Sequence, residues 1–122
     1  MNYLLILISI IGLGTLSAAE QGFAGLWDTN WGRLKIVEKD GKLVGAYKGK
    51  FEGEIAGKVK EKAFHYQWRQ PNGEWGSGVF RLSKDGQELK GTWGSAKSET
   101  NGGVWTGRRM KEGEGDEVKK AE

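Results

Sequence analysis

The sequence predicts an all-β fold: eight short antiparallel strands in a meander closed into a small barrel. Three observations predict it. Beyond residue 20, apolar residues recur with period two between glycine-marked breaks, and no stretch carries the 3.6-residue period of an amphipathic helix. The breaks come roughly every 8–14 residues, which leaves room for hairpins and none for long crossovers. The 122 residues include 21 glycines, six tryptophans and one proline, a composition suited to coiled strands and aromatic packing. A sandwich fits the same spacing, but sequential hairpins favour closure, which removes the exposed edges of a sheet.

Each element has its own signal. Gly22–Asp28 (GFAGLWD) is the first predicted strand and Arg33–Glu38 (RLKIVE) the second. Asp40-Gly41 marks a tight hairpin, since glycine tolerates the positive φ that such turns need. Leu43–Lys48 (LVGAYK) and Glu54–Lys60 (EIAGKVK) follow as third and fourth. Lys62–Arg69 (KAFHYQWR) is the fifth, with Phe64, Tyr66 and Trp68 on one face. Gln70-Pro71-Asn72-Gly73 makes a longer loop, Gly78–Lys84 the sixth strand, and Asp85-Gly86 another tight turn. Glu88–Gly94 (ELKGTWG) is the seventh strand, a polar loop spans 95–102, and Gly103–Arg109 (GVWTGRR) is the eighth.

A short echo runs through these strands. Asp40-Gly41-x-Leu43-x-Gly45-x-Tyr47 resembles Asp85-Gly86-x-x-Leu89-x-Gly91-x-Trp93, and Ile55-x-Gly57-x-Val59 repeats its tail. Residues two apart share a face, so each echo sets a glycine between two larger apolar residues on one side. An inward glycine lets a neighbouring ring lie against the backbone.

The ends are different in kind. Residues 4–16 (LLILISIIGLGTL) are uncharged and apolar and lead into Ser17-Ala18-Ala19, the pattern of a signal peptide cut after Ala19. The run is shorter than the about 20 apolar residues a membrane span needs. It divides the chain into a leader over 1–19, a barrel domain over 20–110 and a charged, flexible tail over 111–122, and it predicts a secreted or periplasmic protein. No stable membrane insertion is expected after cleavage, and oligomerisation is left open.

Composition excludes several classes of chemistry. With no cysteine, disulfides, thiolate zinc sites and a cysteine nucleophile are ruled out. The 19 basic and 16 acidic residues leave an excess of three. Residues 108–122 hold five of each sign, so this small excess is interspersed through the body, and no nucleic-acid partner is expected. The single histidine, His65, lies opposite the aromatic face of the fifth strand and reads as a solvent-facing or hydrogen-bonded residue. Glu52 and Glu54 sit among Lys48, Lys50, Lys58 and Lys60 and read as a solvated, ion-paired hairpin face. Ser77, Ser83, Ser95 and Ser98 have no nucleophile-elbow context, and no phosphate-binding glycine loop occurs. A non-enzymatic protein without cofactor or metal is expected.

The aromatic residues carry more. Trp27, Trp68, Trp93 and Trp105 fall at strand positions and read as core or barrel-lining residues. Trp31 and Trp75 fall in predicted loops, the first and the fifth, and matter together if those loops open at the same barrel end. There they either line a mouth and stack on a flat ligand or fold down as lids.

These residues resemble a known group. Gly25-x-Trp27 on the first strand, with Arg108 or Arg109 on the last, resembles the signature of the calycin superfamily of lipocalins, fatty-acid-binding proteins and avidins. The resemblance implies that Trp27 closes one barrel end beneath an arginine, for which Arg108 is taken, through a cation–π contact. Within the group the avidin/streptavidin family is most similar. Gly25, Trp27, Gly32 and Ile36-Val37 match its opening, and Asp40, Gly41, Leu43, Gly45 and Tyr47 match its next hairpin. Tyr47 corresponds to a ligand of the biotin ureido oxygen. Thr29, Arg33 and Gly49 stand where that family has an asparagine and two serines, so the resemblance implies the barrel without the biotin pocket.

The resulting expectation is an exported binding protein that takes a small apolar, aromatic or saccharide ligand at the open end of the barrel. Trp31, Tyr47, Trp68, Trp75 and Trp93 are the candidate lining residues. The alternative is a protein-interaction module or inhibitor that acts through its surface with a filled barrel. An eight-stranded barrel permits either interior.

Overall fold

A computed structural model describes residues 22–111. The leader over 1–19 and the tail from residue 112 onward lie outside the described residues. Eight strands follow in order: β1 Gly25–Thr29, β2 Gly32–Lys39, β3 Lys42–Gly49, β4 Glu52–Lys60, β5 Ala63–Arg69, β6 Trp75–Leu82, β7 Glu88–Ser95 and β8 Gly103–Arg109. Each pairs antiparallel with the next, and β8 returns to β1 to close the barrel. The all-β meander predicted from the sequence is the fold observed.

Several boundaries move by one to three residues from the sequence reading, and three of the shifts have a clear consequence. β1 begins at Gly25, because Gly22–Ala24 turns under the barrel instead of extending the strand. β6 begins at Trp75, in register with Arg69, so this tryptophan is a strand residue and not a loop residue. Lys62 belongs to the β4–β5 turn, where Glu61 and Lys62 both adopt positive φ (52° and 67°) with no glycine to signal it. By contrast, Asp40 and Gly41 (φ 53° and 80°) form the two-residue turn their types predict.

Strand alternation sends one residue set inward. Trp27, Leu34, Ile36, Leu43, Tyr47 and Ile55 bury their side chains from the first half of the chain, and Phe64, Tyr66, Trp68, Phe80, Leu89 and Trp105 from the second. One device recurs in this interior. The Tyr66 ring leaves β5, crosses Gly78 of β6, and its hydroxyl donates to Thr92 O of β7 at 3.1 Å. Trp68, one inward position along, crosses Gly76 and donates through Nε1 to Gly94 O at 2.9 Å. Tyr47 of β3 passes over Gly53 of β4 and donates to Gln70 Oε1 at 3.1 Å. Each ring thus spans three neighbouring segments. A side chain on the middle strand would occupy the ring's space, which is why glycine stands there.

The β2–β3, β4–β5 and β6–β7 turns and both ends of the described segment share one barrel end. Phe23 is buried there against Phe64 (centroids 5.6 Å), and its carbonyl accepts Trp27 Nε1–H at 3.0 Å. The Arg109 guanidinium lies 4.2 Å over the Trp27 ring and donates to Ala24 O (3.0 Å), Gly86 O (3.2 Å) and Gly22 O. It is therefore Arg109, and not Arg108, that packs across Trp27. The reason is strand alternation: Trp27 and Arg109 are register partners facing inward, whereas Arg108 points to the outer wall. There Asp28 lies between Arg33 (3.8 Å) and Arg108 (3.7 Å), spanning the β8–β1–β2 seam on the solvent side. Such exposed pairs contribute about 0–1 kcal/mol each.

The seam itself is short. β1 and β8 share three register pairs, Trp27–Arg109, Asp28–Arg108 and Thr29–Gly107. Asn30 lengthens it: its N–H donates to Thr106 O, its Nδ2 to Val104 O, and its Oδ1 accepts Thr106 N–H, all within 3.0 Å.

Candidate functional site

The opposite barrel end carries the β1–β2, β3–β4, β5–β6 and β7–β8 loops, and Trp31 stands at its centre. The ring turns down into the barrel and is 8% exposed. It stacks on Trp105 (centroids 4.7 Å, 22° between planes) and meets Trp93 edge-on at 4.8 Å. Tyr47 (6.0 Å), Trp68 (6.5 Å) and Phe51 (5.3 Å) surround it. The backbone fixes this position. Thr29 Oγ1 accepts Trp31 N–H (3.1 Å) and Trp105 Nε1–H (3.0 Å) and donates to Gly32 O at 2.6 Å. The buried hydroxyl is thereby fully used.

The structure therefore brings four of the five candidate lining residues, Trp31, Tyr47, Trp68 and Trp93, into one aromatic cluster. They pack against one another. The fifth, Trp75, stands apart on the outer wall of β6, 44% exposed. Phe23 and Trp27 close one end of the barrel, Trp31 covers the other, and side chains fill the space between.

Burial shows in the tyrosines. Loss of solvent pushes the Tyr47 phenol up to about 12 from an ordinary value of 10.0. Tyr66 is raised further, by burial first and then by the neighbouring Tyr47 and Glu99. A neutral acid held protonated by folding stabilises the native state below the unfolded-state pKa, and that contribution is lost as pH rises through the folded value. Tyr47 is thus expected to remain un-ionised at pH 10 to 11, and stability to fall between pH 10 and 12, by about 2–3 kcal/mol from this group. The difference in near-ultraviolet phenolate absorbance between the wild type and Tyr47→Phe checks this. Ionisation near pH 10 in the folded protein would contradict the burial.

The cleft of this barrel is on its outside. The β7–β8 loop folds back over the outer wall instead of standing away from the rim. Three side chains of the wall hold it: Ser77 Oγ to Ala96 O (2.7 Å), Thr92 Oγ1 to Glu99 O (2.9 Å), and His65 Nδ1 against Glu99 Oε2 (2.7 Å). A carboxylate accepts, so this last bond holds hydrogen on Nδ1 of His65 and turns Nε2 away. Between the loop and the outer faces of β4 and β5 lies a cleft of about 720 Å³. Lys42 and Lys58 line one side, Lys97 and Thr100 the other, and Ala56 and Gln67 the floor.

From the sequence His65 reads as solvent-facing or hydrogen-bonded, and the structure shows an outward His65 bonded to Glu99, but the cleft is not found that way. Residues 95–102 read simply as polar, and nothing local in them shows that Glu99 returns to β5, 34 residues earlier. The outward positions of His65 and Ser77 were the available signal. The lysine–glutamate face also differs in detail. Lys48 and Glu52 are cross-strand partners and Glu54 faces Ala46 and Arg69, but among the described residues no ion pair within 4.0 Å forms there. Among the described residues no group of three His, Asp or Glu comes together to hold a metal ion.

In comparisons with known proteins, no family model, no curated protein and no solved structure matches this chain. The closed eight-stranded barrel with its aromatic interior is compatible with a calycin-like architecture.

Proposed function

We propose that this protein is a non-enzymatic binding protein that meets its partner from the outer surface of a filled barrel. One observation carries the reading: the interior is occupied by the chain's own rings and closed at both ends, while a cleft is present on the wall. Loop placement supports it, since a connection pinned over a rigid sheet is a common way to present binding groups. The leader-like run over 4–16 supports a secreted or periplasmic setting. The Gly25-x-Trp27 and Asp40–Tyr47 motifs support kinship with the avidin-like barrels in architecture. Biotin is not part of the proposal, because the Tyr47 hydroxyl is engaged by Gln70 beneath the Trp31 lid.

Trp31→Ala tests the reading. In the wild type, titration with fatty acid, biotin or a small aromatic probe is expected to leave the tryptophan fluorescence unchanged. Removing the lid opens a rim cavity at a cost of about 2–3 kcal/mol, toward the low end for large-to-small changes because water enters the site. The variant is then expected to take up a small aromatic probe that the wild type excludes. Saturable binding of an apolar probe to the wild type, with an indole shift, would return the site to the interior.

A second reading rests on Phe51 and Trp75, 43% and 44% exposed at the loop end. Large aromatic side chains left in solvent at one end suit a protein partner, whose interface energy concentrates in such residues.

A further inference from the structure

We propose that the outer-wall cleft beneath the β7–β8 loop binds a small hydroxylated organic anion of the sugar-acid or sugar-phosphate class. The inference rests on the surface-binding reading above and names its ligand.

Charge is the first argument. Lys42, Lys58 and Lys97 border the cleft, and among the described residues none of the three has a carboxylate within 4.0 Å. Lys42 and Lys58 lie on adjacent strands, one step beyond the Leu43–Gly57 pair, so two lysines leave neighbouring strands on the same outer face and both line the cleft. Uncompensated like charges on neighbouring strands are unfavourable, and a bound anion relieves them. The one acid lining the cleft, Glu99, is already engaged by His65. Groups left to face a ligand are thus mainly cationic, with Lys97 across the cleft from the other two.

Size and polarity narrow the class. A volume of about 720 Å³ lies within the roughly 300–1,000 Å³ of small-molecule sites and holds more than an inorganic ion. Gln67 and Thr100 offer neutral hydrogen-bonding groups, and Ala56 is the one aliphatic side chain in the lining. Tyr66 borders the cleft through its backbone, since its ring points into the barrel. The one side-chain ring in the lining is the imidazole of His65, held by Glu99, so no large apolar face is offered, whereas a carbon skeleton carrying hydroxyls and anionic groups at its ends matches the lining. The bonds that pin the loop build the cleft before the ligand arrives, which lowers the ordering cost of binding.

The test is residue-resolved. Isotope-labelled protein is titrated with glucuronate, glucose phosphate, inorganic phosphate and neutral glucose, and amide shifts are followed by NMR. Saturable shifts centred on Lys58, Gln67 and Lys97 are expected with glucuronate, glucose phosphate or both, and which of the two binds identifies the anionic group. The Lys58→Ala/Lys97→Ala variant, changed only at exposed positions, is expected to bind at least about tenfold more weakly, a loss of about 1.4 kcal/mol. Lys35→Ala, on the outer face of β2 away from the cleft, is expected to bind as the wild type does. The proposal is overturned if glucose shifts the same amides as strongly, if inorganic phosphate binds as tightly as the sugar anions, or if the double variant binds unchanged. Failure here with a silent interior leaves the surface-binding reading standing; uptake of apolar probes by the wild type removes that reading independently.

Discussion

Trp105→Ala is expected to lower the stability of the barrel by about 4–5 kcal/mol, the upper range for truncating a buried tryptophan. The ring has no exposed surface and joins both halves of the interior. It stacks on Trp31 and packs against Phe80 (5.1 Å), Tyr47 (5.2 Å) and Tyr66 (5.6 Å). Truncation leaves a cavity that no single neighbour fills, because Tyr47 and Tyr66 are tied through their hydroxyls to Gln70 and Thr92 O, and Trp31 through its backbone to Thr29. It also removes one of the two donors to Thr29 Oγ1, loosening the tether of the Trp31 lid. In a domain whose total stability is about 5–15 kcal/mol, this consumes a large share. The melting temperature is expected to fall by more than about 15 °C in a circular-dichroism melt. Trp105→Phe keeps most of the volume and loses the Nε1–H, so its cost should be about 1–2 kcal/mol. Equal effects of the two substitutions would contradict an interior filled around this ring.

Gly78→Ala, the addition of one methyl group, is expected to cost about 3–4 kcal/mol. A Cβ built at Gly78 would stand 2.1 Å from the Tyr66 hydroxyl oxygen and 2.2 Å from Cζ. That ring cannot swing aside cheaply. It stacks on Phe80 (4.9 Å), meets Trp105 edge-on, and its hydroxyl is bonded to Thr92 O. Overpacking of this kind costs about 1–3 kcal/mol, and loss of the hydrogen bond adds about 1 kcal/mol. A double-mutant cycle isolates the cause. In a Tyr66→Ala background the ring is gone, and Gly78→Ala is expected to cost less than about 1 kcal/mol, as measured by denaturant unfolding. A cost that stays the same would place the strain in the β6 backbone and not under the ring.

The strands were legible in the sequence because alternation and turn chemistry act locally. Phe64, Tyr66 and Trp68 mark one face within seven residues, and Asp40-Gly41 announces its own turn. Gly45, Gly57 and Gly91 were legible as inward glycines for the same reason. What the sequence did not reveal are contacts that depend on the closed order of strands. Trp31 reads equally as a mouth residue or a lid until Thr29 and Trp105 are brought together across the seam. The choice between Arg108 and Arg109 depends on which of them is in register with Trp27. The outer cleft needs both the β5–β6–β7 order and the direction taken by a loop whose own residues are merely polar. The sequence alone extends β5 back to Lys62, because neither Lys62 nor Glu61 is a residue type that favours the left-handed backbone both adopt.

The short β1–β8 seam has a consequence for how the chain reaches its fold. Seven of the eight pairings join consecutive strands, so each closes a small loop and forms early. The eighth joins Trp27 to Arg109 across nearly the whole described chain and carries the largest entropic cost of closure. The expected order is a curled open sheet first and ring closure last. Until then β1 and β8 are both unpaired edges, able to join another molecule's strands as readily as each other. Asn30 and Arg109 favour the intramolecular choice. Asn30 extends the last ladder to be made, and Arg109, once seated on Trp27, fastens the segment from Gly22 to Ala24 to the eighth strand. Ring closure is thus the step at which these two side chains are expected to favour the closed monomer over strand exchange with a second molecule.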